Sequence, residues 1–166
     1  KDLNNPLSWH GVEWSNGHLK SIMWRGYSLS GDLDLSDMTM LQTVDLSRNK
    51  LTSLNISGCT KLKSLNVSNN HIETLNLENC ISLKRLLCNK NHLKELNLSL
   101  LPSISIINCG DNDLITFTAS ASKTLNTLNI QGCKLQDIDV SGCDSLFNLY
   151  CGYNNLTQID LSGVPL

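Results

Sequence analysis

The chain has 166 residues and a formal net charge of −2, with no run of basic residues. A nucleic-acid partner would leave a Lys/Arg footprint, so the composition argues against one. No stretch is apolar for long enough to cross a membrane as a helix, so no membrane insertion is expected, and the length suits one structural domain.

Residues 1–18 carry no repeat but hold two of the three tryptophans, Trp9 and Trp14. The run Trp9-His-Gly-Val-Glu-Trp14, followed by Asn16-Gly17, reads as a turn with large apolar anchors. It is expected to form an N-terminal cap, covering a core and a strand edge that would otherwise be open. A tryptophan-lined ligand site is the alternative. Leu19 to Met40 then reads as a degenerate coil of 22 residues built on Leu19, Ile22, Trp24, Leu29, Leu33 and Leu35. Its additional residue falls near Ser30-Gly31-Asp32.

From Leu41 the chain divides into six consecutive repeats of 21 residues, starting at Leu41, Leu62, Leu83, Ile104, Leu125 and Leu146. Each follows the pattern L-x-x-L-x-L-x-x-N-x-L-x-x-L-x-L. Counting from that first residue, positions 1, 4, 6, 11, 14 and 16 give 36 slots, all apolar, in a chain only 40% hydrophobic. A period this strict predicts a solenoid over 19–166. Alternation at positions 4 and 6, as in Leu65-x-Val67 and Leu128-x-Ile130, predicts one parallel strand per coil. Positions 14 and 16 repeat the alternation in Leu54-x-Ile56 and Leu75-x-Leu77. The segment from Leu51 to Cys59 carries Ser, Asn and Gly where a helix would want Ala or Glu. The expectation is a flattened, mostly β coil with parallel strands on both long walls and few or no helices. One such coil buries too little to stand alone, hence the array.

Position 9 is polar: Asn49, Asn70, Asn91, Asn112 and Asn154, with Cys133 in the fifth repeat. Here the strand bends into the next wall. An inward carboxamide both donates and accepts, so it can serve backbone groups that the bend leaves open. The alternative makes these residues ligand-binding.

The seven cysteines are all in register. Cys88, Cys109 and Cys151 occupy position 6. Cys133 replaces the position-9 asparagine. Cys59, Cys80 and Cys143 occupy position 19, the turn into the next coil. An odd count of in-register cysteines reads as buried free thiols, although Cys59 and Cys80 lie close enough to oxidise. The chain has no C-x-x-C, so neither zinc nor any other cofactor is expected. Buried thiols suit a reducing or anaerobic setting.

The recurring L-x-x-L-x-L-x-x-N-x-L resembles the leucine-rich repeat family over 41–166 and, loosely, over 19–40. The variant with Cys at position 6, at Leu83–Ser99 and Leu146–Ser162, is similar to the exported surface leucine-rich repeat proteins of Bacteroides-type bacteria. The Trp-x-Gly-Val-x-Trp cap followed by Leu-Ser-Gly-Asp-Leu also resembles the caps of plant extracellular members. Those members carry 24-residue repeats with a G-x-I-P element, which this chain lacks. The resemblance implies a right-handed solenoid, usually extracellular or at the cell surface, that recognises a protein or glycan on its strand face without catalysis. A chain starting at Lys1 rather than Met fits removal of an export signal.

Positions 3 and 5 should face outward from the main sheet, with 7 and 8 at its rim. Early repeats place Thr43, Asp45, Ser64 and Asn66 there, ordinary solvated residues. Later ones place Arg85, Leu87, Ile106, Asn108, Asn129, Asn148 and Tyr150, with Tyr153 at the rim and Phe147 bordering. Large apolar groups mixed with Arg, Tyr and Asn suit a contact patch for a protein, whether from a host or a second copy. Scattered surface hydrophobes are the plain alternative. Tyr150 and Tyr153 beside Asn129 and Asn148 could instead stack on sugar rings. A spacer that binds nothing is a further reading, as is an end-on dimer through an uncapped C-terminal coil.

His71 and His92 share position 10, with Asp113 the nearest candidate for a third metal ligand; a solvated edge is the plainer reading. Asn55-Ile-Ser57, Asn66-Val-Ser68, Asn97-Leu-Ser99 and Asn155-Leu-Thr157 match glycosylation acceptors but follow from a repeat rich in Asn and Ser. Asp137, Asp139 and Asp160 lie near one another and should titrate without strong perturbation. No nucleophile has a plausible base and orienting group, so no enzyme is expected.

Overall fold

The computed structural model describes residues 10–119, 122–161 and 164. Trp9 and the other residues 1–8 of the expected cap lie outside that range. The strands are β1 Val12–Ser15, β2 His18–Met23, β3 Ser30–Asp34, β4 Thr43–Asp45, β5 Lys50–Asn55, β6 Ser64–Asn66, β7 Thr74–Asn76, β8 Arg85–Leu87, β9 Ile106–Asn108, β10 Thr127–Asn129 and β11 Asn148–Tyr150. No helix occurs among the described residues.

One sheet has eight strands in the order β1-β2-β4-β6-β8-β9-β10-β11. From β2 onward the pairing is parallel and in register, so Ile22, Val44, Leu65, Leu86, Ile107, Leu128 and Leu149 form one row. Side chains alternate across the sheet. The row's members from Ile22 to Leu128 are buried, while their flanking neighbours face outward. A second sheet, β3-β5-β7, forms the opposite wall. β3 pairs β5 with a register shift between Gly31 and Asp32.

The β1–β2 hairpin turns at Asn16 and Gly17, both with positive φ (51° and 74°). This pair of left-handed residues gives the primed turn whose twist suits a two-residue hairpin. β1 runs antiparallel to β2 and so covers the edge of the main sheet. Trp24 closes the corner by donating from its indole Nε1 to the His10 carbonyl at 2.9 Å.

Between the walls lies one continuous core. Position 19 adds a seventh inward site: Cys59, Cys80, Leu101 and Cys143 are buried there, each bridging the turn into the next coil. The Cys80 thiol donates to the Ile56 carbonyl at 3.2 Å, and the Cys143 thiol to the Ala119 carbonyl at 3.0 Å. Desolvation by burial is the main reason these thiols are pushed up, Cys80 to about 12. Of the seven cysteines, all free, only Cys151 is partly exposed.

Parallel strands form both walls, the outer one being the less regular. Positions 14 and 16 are not buried in the sixth repeat, where Ile159 and Leu161 are 42% and 48% exposed. Nor do strands line the second wall throughout. After β7, among the described residues, the wall continues as isolated parallel bridges, Thr118 to Asp139 and Asp139 to Asp160. Between them, in the repeat that starts at Leu83, no backbone hydrogen bond among the described residues joins 94–99 to either neighbouring coil.

The turn that follows the break differs from its counterparts. At position 18, Asp37, Gly58, Asn79 and Gly142 all adopt positive φ, between 59° and 74°. The third repeat places Leu100 there, and it stays out of the left-handed region, where a bulky side chain is disfavoured. Two residues on, Thr39 and Thr60 donate their N–H groups to Asp37 and Gly58 at 2.7 and 2.8 Å. Pro102 takes that place in the third repeat and has no N–H to give.

Candidate functional site

Two rows of outward side chains cross the main sheet. Position 3 gives Ser21, Thr43, Ser64, Arg85, Ile106, Thr127 and Asn148; position 5 gives Met23, Asp45, Asn66, Leu87, Asn108, Asn129 and Tyr150. Adjacent strands lie about 4.8 Å apart, so Arg85, Leu87 and Ile106 on β8 and β9 form one cluster. Phe147, Tyr150 and Tyr153 lie on the last coil, exposed by 83%, 51% and 84%. Three strand spacings, about 14 Å, separate β8 from β11. The sequence-selected residues therefore form two clusters rather than one patch.

Asn108 and Asn129 lie between the clusters, but their carboxamide oxygens are already used. Asn108 Oδ1 accepts from the Gly110 N–H at 3.2 Å, and Asn129 Oδ1 from the Gln131 N–H at 3.0 Å. Asp45 and Asn66 do the same for Ser47 and Ser68. These side-chain turns end each strand at the bend. Their signal was the recurring Asp/Asn-x-Ser triplet, which matched glycosylation acceptors for this reason. The second wall repeats the device at Asn55, Asn97 and Asp139. Hydrogen bonds from Ser141 hold Asp139 below the usual carboxylate range, a perturbation that its exposure alone did not lead one to expect. Leu87 and Tyr150 replace the turn-forming Asp/Asn at position 5, which leaves them free for contact. Asn148 donates from Nδ2 to Thr127 Oγ1 at 3.3 Å.

The bend itself has a conformational demand that the apolar pattern did not reveal. Position 8 adopts positive φ in every repeat: Arg48, Asn69, Lys90, Asp111, Gly132 and Tyr153, from 53° to 70°. It turns Tyr153 outward at the rim.

The face is basic as well as partly apolar. Arg48, Lys63, Lys84, Arg85 and Lys90 sit at positions 2, 3 and 8, against Asp45 and Asp111. Among the described residues Arg85 makes no ion pair.

Behind the face runs the position-9 ladder. Asn70, Asn91 and Asn112 each accept on Oδ1 from an N–H of the preceding coil (Leu51, Ile72, Leu93) at 2.9–3.0 Å. Their Nδ2 groups donate to two carbonyls, one in each coil: Leu46 and Val67, then Val67 and Cys88, then Cys88 and Cys109. Asn49 and Asn154 begin and end the series. Cys133 donates its thiol to the Cys109 carbonyl at 3.4 Å, the contact an asparagine would make there.

At position 10, His71 and His92 stack with ring centroids 5.9 Å apart. Lys134 Nζ lies 2.7 Å from Asp113, whose other oxygen is 3.5 Å from His92. Asp113 is thus occupied by a lysine; among the described residues no three potential ligands converge on a metal position.

Family models for leucine-rich repeats match residues 39–79, as two copies, and residues 121–142. No curated protein matches the chain. Among solved structures, the functional domain of InlJ from Listeria monocytogenes, described as including a cysteine ladder, is 26% identical with a TM-score of 0.61. That match covers 78% of this chain and 38% of that one. YopM from Yersinia enterocolitica is 20% identical with a TM-score of 0.50, over 89% of this chain and 43% of that one. The chain thus spans about two fifths of each. The fold is the leucine-rich repeat solenoid.

Proposed function

We propose that the chain is a non-catalytic recognition module that binds a protein partner through the outward face of its eight-stranded sheet. The observation that carries this is Arg85, unpaired beside Leu87 and Ile106 in a position row otherwise given to small polar residues. A guanidinium beside apolar side chains suits a partner with a carboxylate next to an apolar anchor. The surrounding lysines would steer such a partner.

The setting that fits this reading is the exterior of a bacterium, as an exported or surface-attached protein. Its support is the similarity to the functional domain of a Listeria protein.

A glycan is the second reading, favoured by the exposed rings of Tyr150 and Tyr153 on one coil. Asn129 supports it less, because its oxygen already serves Gln131. Purified host matrix proteins and a glycan array, probed with the native chain and with Arg85→Glu, Leu87→Ser and Tyr150→Ser, separate the readings. A matrix protein retained by the native chain and released by Arg85→Glu and Leu87→Ser supports the proposal. Glycan binding lost with Tyr150→Ser alone supports the second reading. Matrix-protein binding that survives all three substitutions refutes the proposed face, and no retention at all leaves a spacer. End-to-end self-association would appear as a dimer mass in concentrated-solution scattering.

A further inference from the structure

The second wall is broken at the third repeat, and the break opens a cleft of about 850 Å³. This volume is in the range of ligand-binding clefts. Its lining mixes Leu54, Leu75, Leu96 and Leu98 with polar side chains. At position 14, Leu54 is buried, but Leu75 beside the break and Leu96 within it are only half-buried. Its sides are open backbone. Thr74–Asn76 pairs with β5 on one side, and the Thr116–Thr118 segment is tied to the following coil through Phe117 and Thr118. Neither forms a backbone hydrogen bond toward residues 94–99 between them. Its rim is acidic: Glu73 and Glu95 line it and make no ion pair among the described residues, while Lys123 on the far side is held by Asp144 at 2.6 Å.

We propose that this cleft is a second binding site, independent of the main-sheet face, for an extended polypeptide segment that alternates apolar with basic side chains. A strand laid along Thr74–Asn76 would complete the interrupted ladder with its own N–H and C=O groups. Side chains on a strand alternate between faces, so every second one would point into the gap over Leu75 and Leu96. The others would face outward, within reach of Glu73 and Glu95. An acidic segment would meet those carboxylates with like charge.

The probes are two fluorescein-labelled heptapeptides, one alternating lysine with valine and the other aspartate with valine, titrated against the full chain by anisotropy. The lysine peptide should bind and the aspartate peptide should not. Glu73→Gln with Glu95→Gln should weaken binding by roughly two- to fivefold per carboxylate, the range for exposed ion pairs. Leu87→Ser and Tyr150→Ser should leave it unchanged. In amide spectra the lysine peptide should move Thr74–Asn76 and Thr116–Thr118. Leu100→Gly restores a residue at ease with positive φ; it should close the wall and abolish binding. Equal binding of both peptides, no binding of either, or shifts confined to the main-sheet rows would overturn the proposal. So would binding that survives a Leu100→Gly wall shown closed by new contacts across residues 94–99.

Discussion

Replacing Asn91 with alanine isolates what one rung of the ladder contributes. The side chain is 5% exposed. It accepts from the Ile72 N–H at 2.9 Å and donates to the Val67 and Cys88 carbonyls at 3.0 and 2.9 Å. The two carbonyls do not lose everything, because Asn70 still donates to Val67 and Asn112 to Cys88. Ile72 N–H has no such second partner. The cost is therefore one orphaned buried donor, about 1–3 kcal/mol, plus weaker solvation of two carbonyls at about 0.5–1 kcal/mol each. Asn91→Ala should lose about 2–5 kcal/mol, read from urea unfolding followed by circular dichroism. Native-state exchange at the Ile72 amide should accelerate more than at Leu51 or Leu93, which keep their own asparagines. Asn91→Cys should cost less than alanine, since Cys133 already keeps one contact of this kind with a thiol. Asn154→Ala should cost less again, because that side chain is only partly buried. A loss below about 0.5 kcal/mol for Asn91→Ala, or an equal loss at Asn154, would refute the orphaned-donor reasoning.

Gly11 has φ of +75°, and a Cβ there would lie 2.6 Å from the Met23 carbonyl oxygen. Gly11→Ala should therefore destabilise by more than about 1 kcal/mol, seen as a lower thermal midpoint with faster amide exchange in the β1–β2 hairpin. Native alkylation with iodoacetamide at pH 8 should label Cys151 first, since it is the partly exposed thiol, and leave Cys80 unmodified, because burial pushes that thiol to about 12. Mass spectrometry reads the order, and equal labelling would contradict the buried register. Asp113 is held below the ordinary carboxylate range first by its hydrogen bond from Lys134. A depressed carboxylate stabilises the fold above its unfolded pKa, and that contribution is lost as pH falls through the folded value. Lys134→Met should move the Asp113 carboxyl titration upward by NMR and shrink this acid-side contribution; an unmoved titration would count against the pair.

Much of the fold was legible because burial is periodic. Leu41, Leu62 and Leu83 repeat at one spacing and meet the same environment in each coil, so the inward set could be read by counting. What counting missed was conformational. Positions 8 and 18 need left-handed backbone, yet position 8 is filled by Arg48, Asn69, Lys90, Asp111, Gly132 and Tyr153, types with no shared polarity. Position 18 lies outside the apolar slots, so nothing in the pattern marked Leu100 as different from Gly58, Asn79 or Gly142 in backbone conformation. The candidate site was legible only in part. Asn108 and Asn129 looked like contact residues because their outward position is visible in sequence, whereas the turn bonds to Gly110 and Gln131 depend on how the chain bends two residues later. Leu87 and Tyr150 were legible as large side chains on an outward row; that they also replace the turn-forming Asp/Asn depends on the bend.

The account depends on parallel coils stacked in one register, and nuclear Overhauser contacts between backbone protons test this most directly. Leu86 should show cross-strand contacts to both Leu65 and Ile107, with Leu128 linked to Ile107 and Leu149, and no helical contacts from Leu51 to Cys59. A continuous helical pattern over Leu51–Cys59, or a Leu86 amide that exchanges as freely as one in water, would contradict it.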